Sequence, residues 1–263
     1  MSLAKKTLKV EKYYDDWTQR YIDCGYGDVI QAHRPHDLNE LLNYIGKNAG
    51  IENCMKILDA GCGICGPAIY FATKFDVKIT AVTNSIEQVK IAKSKINEQN
   101  LNSRIELIQG DFHKLDTFLQ KENFDLVLML ESYGHAINKK MVLTGAQKVL
   151  KHEGSLYIKD YFKKEITGSR ERKQSMKKFI KNMNKYYSYN LPDLNNTIDI
   201  LLQLDLNLQY VKRNELPIDE QEYIAAFEKK YDIDIFEGRF HYQFVEPLEL
   251  FFKKPTNIDT PIR

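Results

Sequence analysis

The 263-residue chain predicts an α/β fold, a mostly parallel sheet with helices on both faces. Three observations carry this. The stretch Lys56–Ala68 runs from apolar residues through Asp59 into three glycines, Gly61, Gly63 and Gly66, and then Pro67. That pattern predicts a buried strand, a tight glycine turn and a helix start, with Pro67 at the first helical position, where a missing N–H costs nothing. Phe124–Leu130 is nearly all apolar, as a central parallel strand buried on both faces requires. Between and after these stretches, β-rich runs alternate with helical periodicity.

Composition sets broad limits. The chain is long enough to bury a full core in one elaborated domain. Its net charge is only +2, so no global field calls for nucleic acid or a membrane. It lacks a long apolar run and a signal-peptide pattern, which points to a cytoplasmic protein without a membrane span. Four cysteines are too few for a disulfide scaffold. Cys62 and Cys65 form a Cys-x-x-Cys, but no second pair or His cluster completes a zinc site, so they read as small side chains in a tight turn and no metal is expected.

Taken in order, residues 1–50 form an N-terminal helical cap ahead of a main domain over 51–263. Val10, Tyr13, Tyr14, Trp17 and Tyr21 fall near helical spacing until Gly25 and Gly27 break it. This aromatic face either packs on the core or caps a site, and the two roles are compatible. Asp37 and Glu40 make a capping box before Leu38, Leu41, Leu42 and Ile45. Lys56–Ala60 leads into the glycine turn, whose helix start offers unpaired N–H groups. Val77–Val82 is the second strand, and Ser85 and Gln88 form a capping box for the helix Ile86–Asn97. Arg104–Gln109 alternates as the third strand and ends in Gly110-Asp111-Phe112. Phe124–Leu130 ends in the polar cluster Glu131-Ser132-Tyr133-Gly134-His135, beyond the carboxyl end of a strand, where ligands of open parallel sheets sit. Met141–Lys151 is an amphipathic helix, and Ser155–Phe162 is the fifth strand, with Asp160 either at the site or in a turn.

Composition then shifts. Lys163–Lys185 holds nine Lys or Arg against two Glu, seven excess positive charges in a chain of net +2, so the remainder stands at −5. Met176, Phe179, Ile180 and Met183 give this helix an apolar inner face. It is a solvated face over core, a lid, or an attraction for an anionic group. With the helix Asp193–Leu204 it forms a lid insertion over about 163–205. Leu206–Val211 and Leu248–Lys253 read as strands around a helix at Ile218–Tyr231.

Asp59, two residues before Gly61, separates this loop from the Gly-x-Gly-x-x-Gly of dinucleotide sites. Asp-x-Gly-x-Gly after a strand resembles motif I of the Rossmann-like S-adenosylmethionine-dependent methyltransferases. An acidic group suits a cofactor carrying an ammonium and a sulfonium. Gly-Cys-Gly-Ile-Cys-Gly-Pro-Ala is similar to the loop of the small-molecule branch that includes sterol and tocopherol C-methyltransferases. The resemblance is firm over Lys56–Phe162, looser over the cap, and only architectural beyond Lys163. It implies a Rossmann-like seven-stranded sheet closed by a hairpin, with S-adenosylmethionine as cofactor and S-adenosylhomocysteine as product. Asp59, Gly61, Cys62 and Gly63 then contact the cofactor. The slot after the second strand is commonly acidic and grips the ribose; here it is Thr83, so Thr83, Asn84 and Gln88 are the ribose candidates, with the cap alone as the other reading of Gln88. Gly-Asp-aromatic resembles the adenine corner, where the Asp111 carboxylate and the Phe112 N–H reach the base; otherwise Asp111 caps the next helix. Leu-Glu-Ser-x-Gly-His-Ala resembles the branch's fourth motif and places Glu131 beside the cofactor. In the cap, Tyr13, Tyr14 and Tyr21 are the candidates for a tyrosine that reaches the active site.

The expected reaction is methyl transfer by in-line displacement to a small, partly apolar metabolite, its acceptor atom C, N or O. Glu131 steadies positive charge. His135 is the candidate base, or else a hydrogen-bonded loop histidine. A non-catalytic S-adenosylmethionine sensor is the second expectation. An RNA or protein methyltransferase is third, disfavoured by the bulk charge and by the lack of an Asn-Pro-Pro-Tyr or Asp-Pro-Pro-Tyr string. A homodimer is compatible with the sequence.

Overall fold

The computed structural model describes residues 2–216, 220–233 and 243–256. Seven strands among them form one sheet in the order β3-β2-β1-β4-β5-β7-β6. They are β1 (Lys56–Ala60), β2 (Lys78–Thr83), β3 (Ile105–Gln109), β4 (Phe124–Leu130), β5 (Leu150–Lys163), β6 (Asn207–Arg213) and β7 (Val245–Lys253). β1 to β5 pair in parallel, whereas β7 runs antiparallel to both β5 and β6. The expected Rossmann-like sheet and closing hairpin are both present.

The helices are α1 (Leu3–Tyr21), α2 (Leu38–Asn48), α3 (Gly66–Lys74), α4 (Ile86–Glu98), α5 (Leu115–Phe118), α6 (Lys139–Val149), α7 (Arg170–Tyr187), α8 (Leu194–Gln203) and α9 (Glu220–Tyr231). Among the described residues, no helix is long and apolar enough to cross a membrane. The expected start at Ile218 falls outside the described residues.

Alternation of side chains along a strand builds the core as two layers. Leu58, Val127, Met129 and Ile158 face α6 and α8. Their neighbours Ile57, Leu126, Leu128 and Tyr157 face the other way, onto α2, α3 and α4. A third cluster joins Tyr13, Tyr21 and Tyr26 of the N-terminal segment to Met176 and Phe179 of α7 and to Phe227 and Phe244. The lysines of α7 at 173, 177, 178, 181 and 185 are exposed, while Met176 and Phe179 are buried. The basic run is therefore the solvated face of a helix whose apolar side closes the cap.

Several boundaries differ from the sequence reading. Pro67 is the second residue of α3, because Gly66 already has helical geometry. α6 begins at Lys139, since Asn138 supplies the cap and accepts from the Met141 amide. β5 begins at Leu150: Phe124 pairs with Leu150, and an irregularity absorbs the extra residues before Leu126 meets Ser155. Polar His152 and Glu153 break the apolar pattern there.

The order of strands fixes where a ligand can sit. β1 lies between β2 and β4, so chain connections leave it in opposite directions. The crevice beyond its carboxyl end is the natural ligand site of such sheets. Leu58 is fully buried at the middle of β1, between Thr80 and Val127. Leu58→Ala should lower unfolding free energy by about 2–5 kcal/mol in denaturant titrations. Leu208→Ala, at an exposed position, should change it by no more than about 0.5 kcal/mol.

Candidate active site

The glycine loop is folded over the end of β2: the amides of Gly61 and Cys62 both donate to the Val82 carbonyl, at 2.9 and 3.0 Å. Gly61 has φ +97°, and a Cβ there would overlap the Ser132 side chain. Its bareness lets the loop after β4 close against the loop after β1. Gly63, at φ +55°, faces open space instead. Asp59 sits behind this loop, 2% exposed, and its Oδ2 accepts no hydrogen bond. Burial raises its carboxyl to about 7.

A cavity of about 530 Å³ opens in front of the loop. Gly61, Gly63, Thr83, Asn84, Gln88 and Phe112 are among its walls, and Val82, Gly110 and Glu131 reach it as well. Asp59, Cys62 and Asp111 stand outside the wall. Thr83 Oγ1 donates to Gln88 Oε1 at 2.6 Å. Ser85 Oγ accepts from the Gln88 amide, as the cap requires, but the Gln88 side chain turns to Thr83 and leaves the capping box half made. Ser85 Oγ donates to Asp15 Oδ1 at 2.6 Å. Asp15 thus ties α1 to the start of α4.

Asp111 follows the capping alternative. Its Oδ1 accepts from the His113 amide at 2.9 Å and meets His113 Nδ1 at 2.6 Å. His113 Nε2 in turn accepts from the amides of Ile137 and Asn138. With Nε2 accepting, the proton must lie on Nδ1 and point at Asp111. This buried histidine fastens the loop after β3 to the loop after His135.

On the other side of the crevice, Glu131 is held in left-handed backbone, φ +52°. Its Oε2 accepts from the Ala32 amide at 2.7 Å, and its Oε1 accepts from the His33 amide at 3.1 Å and from Lys159 Nζ at 2.6 Å. Lys159, 2% exposed, also donates to Gln31 Oε1 and the His33 carbonyl. The glutamate expected beside the cofactor therefore also pins residues 31–33 across the sheet edge. Lys159 carried no sequence signal beyond its place in an apolar strand.

His135 lies where the strand-end cluster predicts. Its Nδ1 meets the Ser188 carbonyl at 3.3 Å and its Nε2 meets Tyr14 Oη at 2.7 Å. A carbonyl only accepts, so Nδ1 carries the proton and Nε2 accepts from Tyr14. Burial pushes His135 down to about 4 and pushes the Tyr14 phenol up. A second cavity, about 580 Å³, shares Tyr14, Ile30, Glu131 and His135 with the first and extends under Tyr161, Met183 and Tyr189. Tyr21 lines this second cavity, whereas Tyr13 lies behind it with its phenol bonded to that of Tyr21. Asp160 is buried at the site: Oδ2 accepts from the Gly134 amide and Oδ1 from the Tyr161 amide and the Tyr189 phenol. Burial raises it to about 6 against the pull of those bonds.

The family described as "Methyltransferase domain" matches residues 51–228, about two thirds of the chain. A sterol 24-C-methyltransferase of Gibberella zeae is 29% identical over 150 residues, covering 56% of this chain and 38% of the relative. The chain spans about two fifths of the length of such relatives. Among solved structures, the [4+2]-cyclase SpnF superimposes with a TM-score of 0.76 at 17% identity, covering 94% of this chain and 96% of SpnF. A geranyl diphosphate C-methyltransferase from Streptomyces coelicolor A3(2) gives 0.70 at 12% identity, covering 95% and 97%. At these identities the likeness is one of fold, and the fold hosts more than one chemistry.

The unpartnered Asp59 has a consequence for stability. Its carboxyl is raised from 3.8 to about 7 in the folded chain, so the folded state holds the proton more tightly than the unfolded state does. That contribution is fully present below about pH 4 and is lost as pH rises through about 7. Asp59→Asn should therefore stabilise the ligand-free protein at pH 8, by on the order of 2–4 kcal/mol. It should leave stability near pH 4 little changed. Chemical denaturation across pH checks the difference between the two proteins.

Proposed function

The chain belongs to the methyltransferase domain family, and we propose that it transfers a methyl group from S-adenosylmethionine to a small, partly apolar metabolite. The observation that carries this reading is the junction of two cavities, one walled by the glycine loop and the Thr83–Gln88 patch, the other by tyrosines, with Tyr14, Glu131 and His135 in both.

The residues present suit the cofactor. The bare backbone at Gly61 and Gly63 receives its amino-acid end, and the uncompensated carboxyl of Asp59 behind Cys62 favours an ammonium there. Thr83, Asn84 and Gln88 take the ribose hydroxyls. Val82, Gly110 and Phe112 form the adenine slot, with Asp111 holding that corner in shape. Once bound, S-adenosylmethionine supplies an electrophilic methyl on a positively charged sulfur, open to in-line displacement.

The protein's part is mainly alignment, and orientation of this kind supplies about 7–11 kcal/mol of a barrier. Glu131 and Lys159 hold residues 31–33 as a roof over the junction. The Glu131 carboxylate, paired with Lys159 behind it, also reaches the wall beside the transferring group. His135 is unprotonated above about pH 4, so its Nε2 is free to draw the proton of Tyr14 while Tyr14 Oη takes one from the acceptor. Ser188 keeps the proton of the imidazole on Nδ1 throughout.

Incubation with methyl-labelled S-adenosylmethionine and a fractionated cell extract tests the reading. A labelled small molecule is the expected product. Label found only in RNA or protein would overturn the small-molecule assignment, and cofactor binding with no label anywhere would make the chain a binding protein. Once the acceptor is in hand, Tyr14→Phe and His135→Asn should each lower kcat by about 10²–10⁴-fold. Cofactor Kd should shift by no more than about threefold. The wild-type kcat profile should show no acid limb near the ordinary histidine pKa of about 6.5.

A further inference from the structure

Six tyrosines wall the second cavity: Tyr14, Tyr21, Tyr26, Tyr161, Tyr187 and Tyr189. Four of their hydroxyls are bonded to neighbours, Tyr14 to His135, Tyr21 to Tyr13, Tyr187 to Glu228 and Tyr189 to Asp160. These phenols are engaged with protein partners, so what they offer a guest is chiefly ring. A phenol that shares its proton with a carboxylate or an imidazole carries more electron density in its ring, which deepens the negative potential of the π face.

The fixed charge of the wall points the same way. None of the described lining residues is Lys or Arg, and Glu131 is the charged side chain among them. Lys159 balances Glu131 from behind, and the Asp160 carboxyl lies behind Tyr189. Among the described lining residues a phosphate or carboxylate head would meet π faces and Glu131 but no Lys or Arg; the nearby cations are already engaged, Lys159 by Glu131, Arg34 by the Tyr26, Val29 and Gly25 carbonyls, and Lys139 by the Tyr133 carbonyl. A purely hydrocarbon guest would fit Ile30, Ala32 and Met183 but draw nothing from the rings' electrostatics. An alkylammonium head uses both the rings and the acidic surroundings.

We propose that the methyl acceptor is a small amine, held as its ammonium in this tyrosine cage and released as a more highly methylated ammonium. The proposal rests on the methyltransferase reading above. An ammonium has no lone pair, so its proton leaves first, to Tyr14 Oη as the Tyr14 proton moves to His135 Nε2. The freed nitrogen pair then forms the new N–C bond. The C–S bond breaks with its electrons passing to sulfur, and the sulfonium becomes a neutral thioether. A quaternary product keeps its charge at every pH and so suits the cage without any proton.

Choline and 3,3-dimethyl-1-butanol are a matched pair of probes, alike in shape and differing by a quaternary nitrogen in place of a carbon. Calorimetry on the full chain, first titrated with S-adenosylhomocysteine and then with each probe, separates the two layers of inference. Choline should bind at least tenfold more tightly than the alcohol. Tyr187→Leu should weaken choline by about fivefold or more and leave the alcohol unchanged, while Tyr187→Phe, which keeps the ring, should retain most of the preference. Heat for S-adenosylhomocysteine with no preference for choline over the alcohol, or with no measurable choline binding, would overturn the amine assignment and leave the methyltransferase reading standing. No heat for S-adenosylhomocysteine would overturn both. The wild-type comparison of the two probes decides the matter even if a variant fails to fold.

Discussion

A buried ion pair, Glu131 with Lys159, holds the site together. Both side chains are more than nine-tenths removed from water, and either charge left alone there would cost several kcal/mol. The cost is offset because the pair is fully hydrogen-bonded. Glu131 accepts from two strap amides and the lysine, and Lys159 donates to Glu131, Gln31 and the His33 carbonyl. The pair's remaining hydrogen bonds are complete only when residues 31–33 lie across the end of β4 and β5. That crossing helps bring the N-terminal segment over the crevice, where Tyr14, Tyr21 and Ile30 become walls of the second cavity. The tie between Asp15 and Ser85 anchors the same segment from the side of α4.

Around this fixed pair sits a set of groups whose charge is not settled by the protein alone. Asp59 is raised to about 7 and Asp160 to about 6 by burial, and His135 is lowered to about 4 for the same reason. Low dielectric disfavours the charged form in all three cases. Asp59 and Asp160 thus hold their protons more tightly than exposed carboxyls do, while His135 keeps an unprotonated nitrogen in the neutral range. Perturbed groups of this kind concentrate where function is, although ion-pair networks perturb them too; here His135 lines both cavities, while Asp59 and Asp160 stand behind the walls.

Much of this was legible along the chain because its signals are local. The strand–glycine turn–helix at Lys56–Lys74, the apolar β4 and the amphipathic face of α7 follow from spacing within a dozen residues. The polar cluster after β4 could be placed at the ligand edge because parallel strands share a carboxyl end. Boundaries were less legible. β5 starts five residues early through a pairing with Phe124 that no local pattern announces, and the Gln88 side chain leaves its cap for Thr83, which only the packing of the β2 end brings close.

By itself the sequence determined the fold class, the glycine turn and, through the family it resembles, the kind of cofactor, since the fold and the turn depend on backbone conformations and burial patterns written in neighbouring residues. What each polar side chain does was decided by tertiary structure. Glu131 meets a strap 98 and 99 residues away, and His135 finds Tyr14 across 121. Asp111 turns to His113, and Lys159 becomes a buried counter-ion. The physical reason is that a buried polar atom must be satisfied by whatever the fold brings within about 3 Å. Distance in sequence carries no record of that partner.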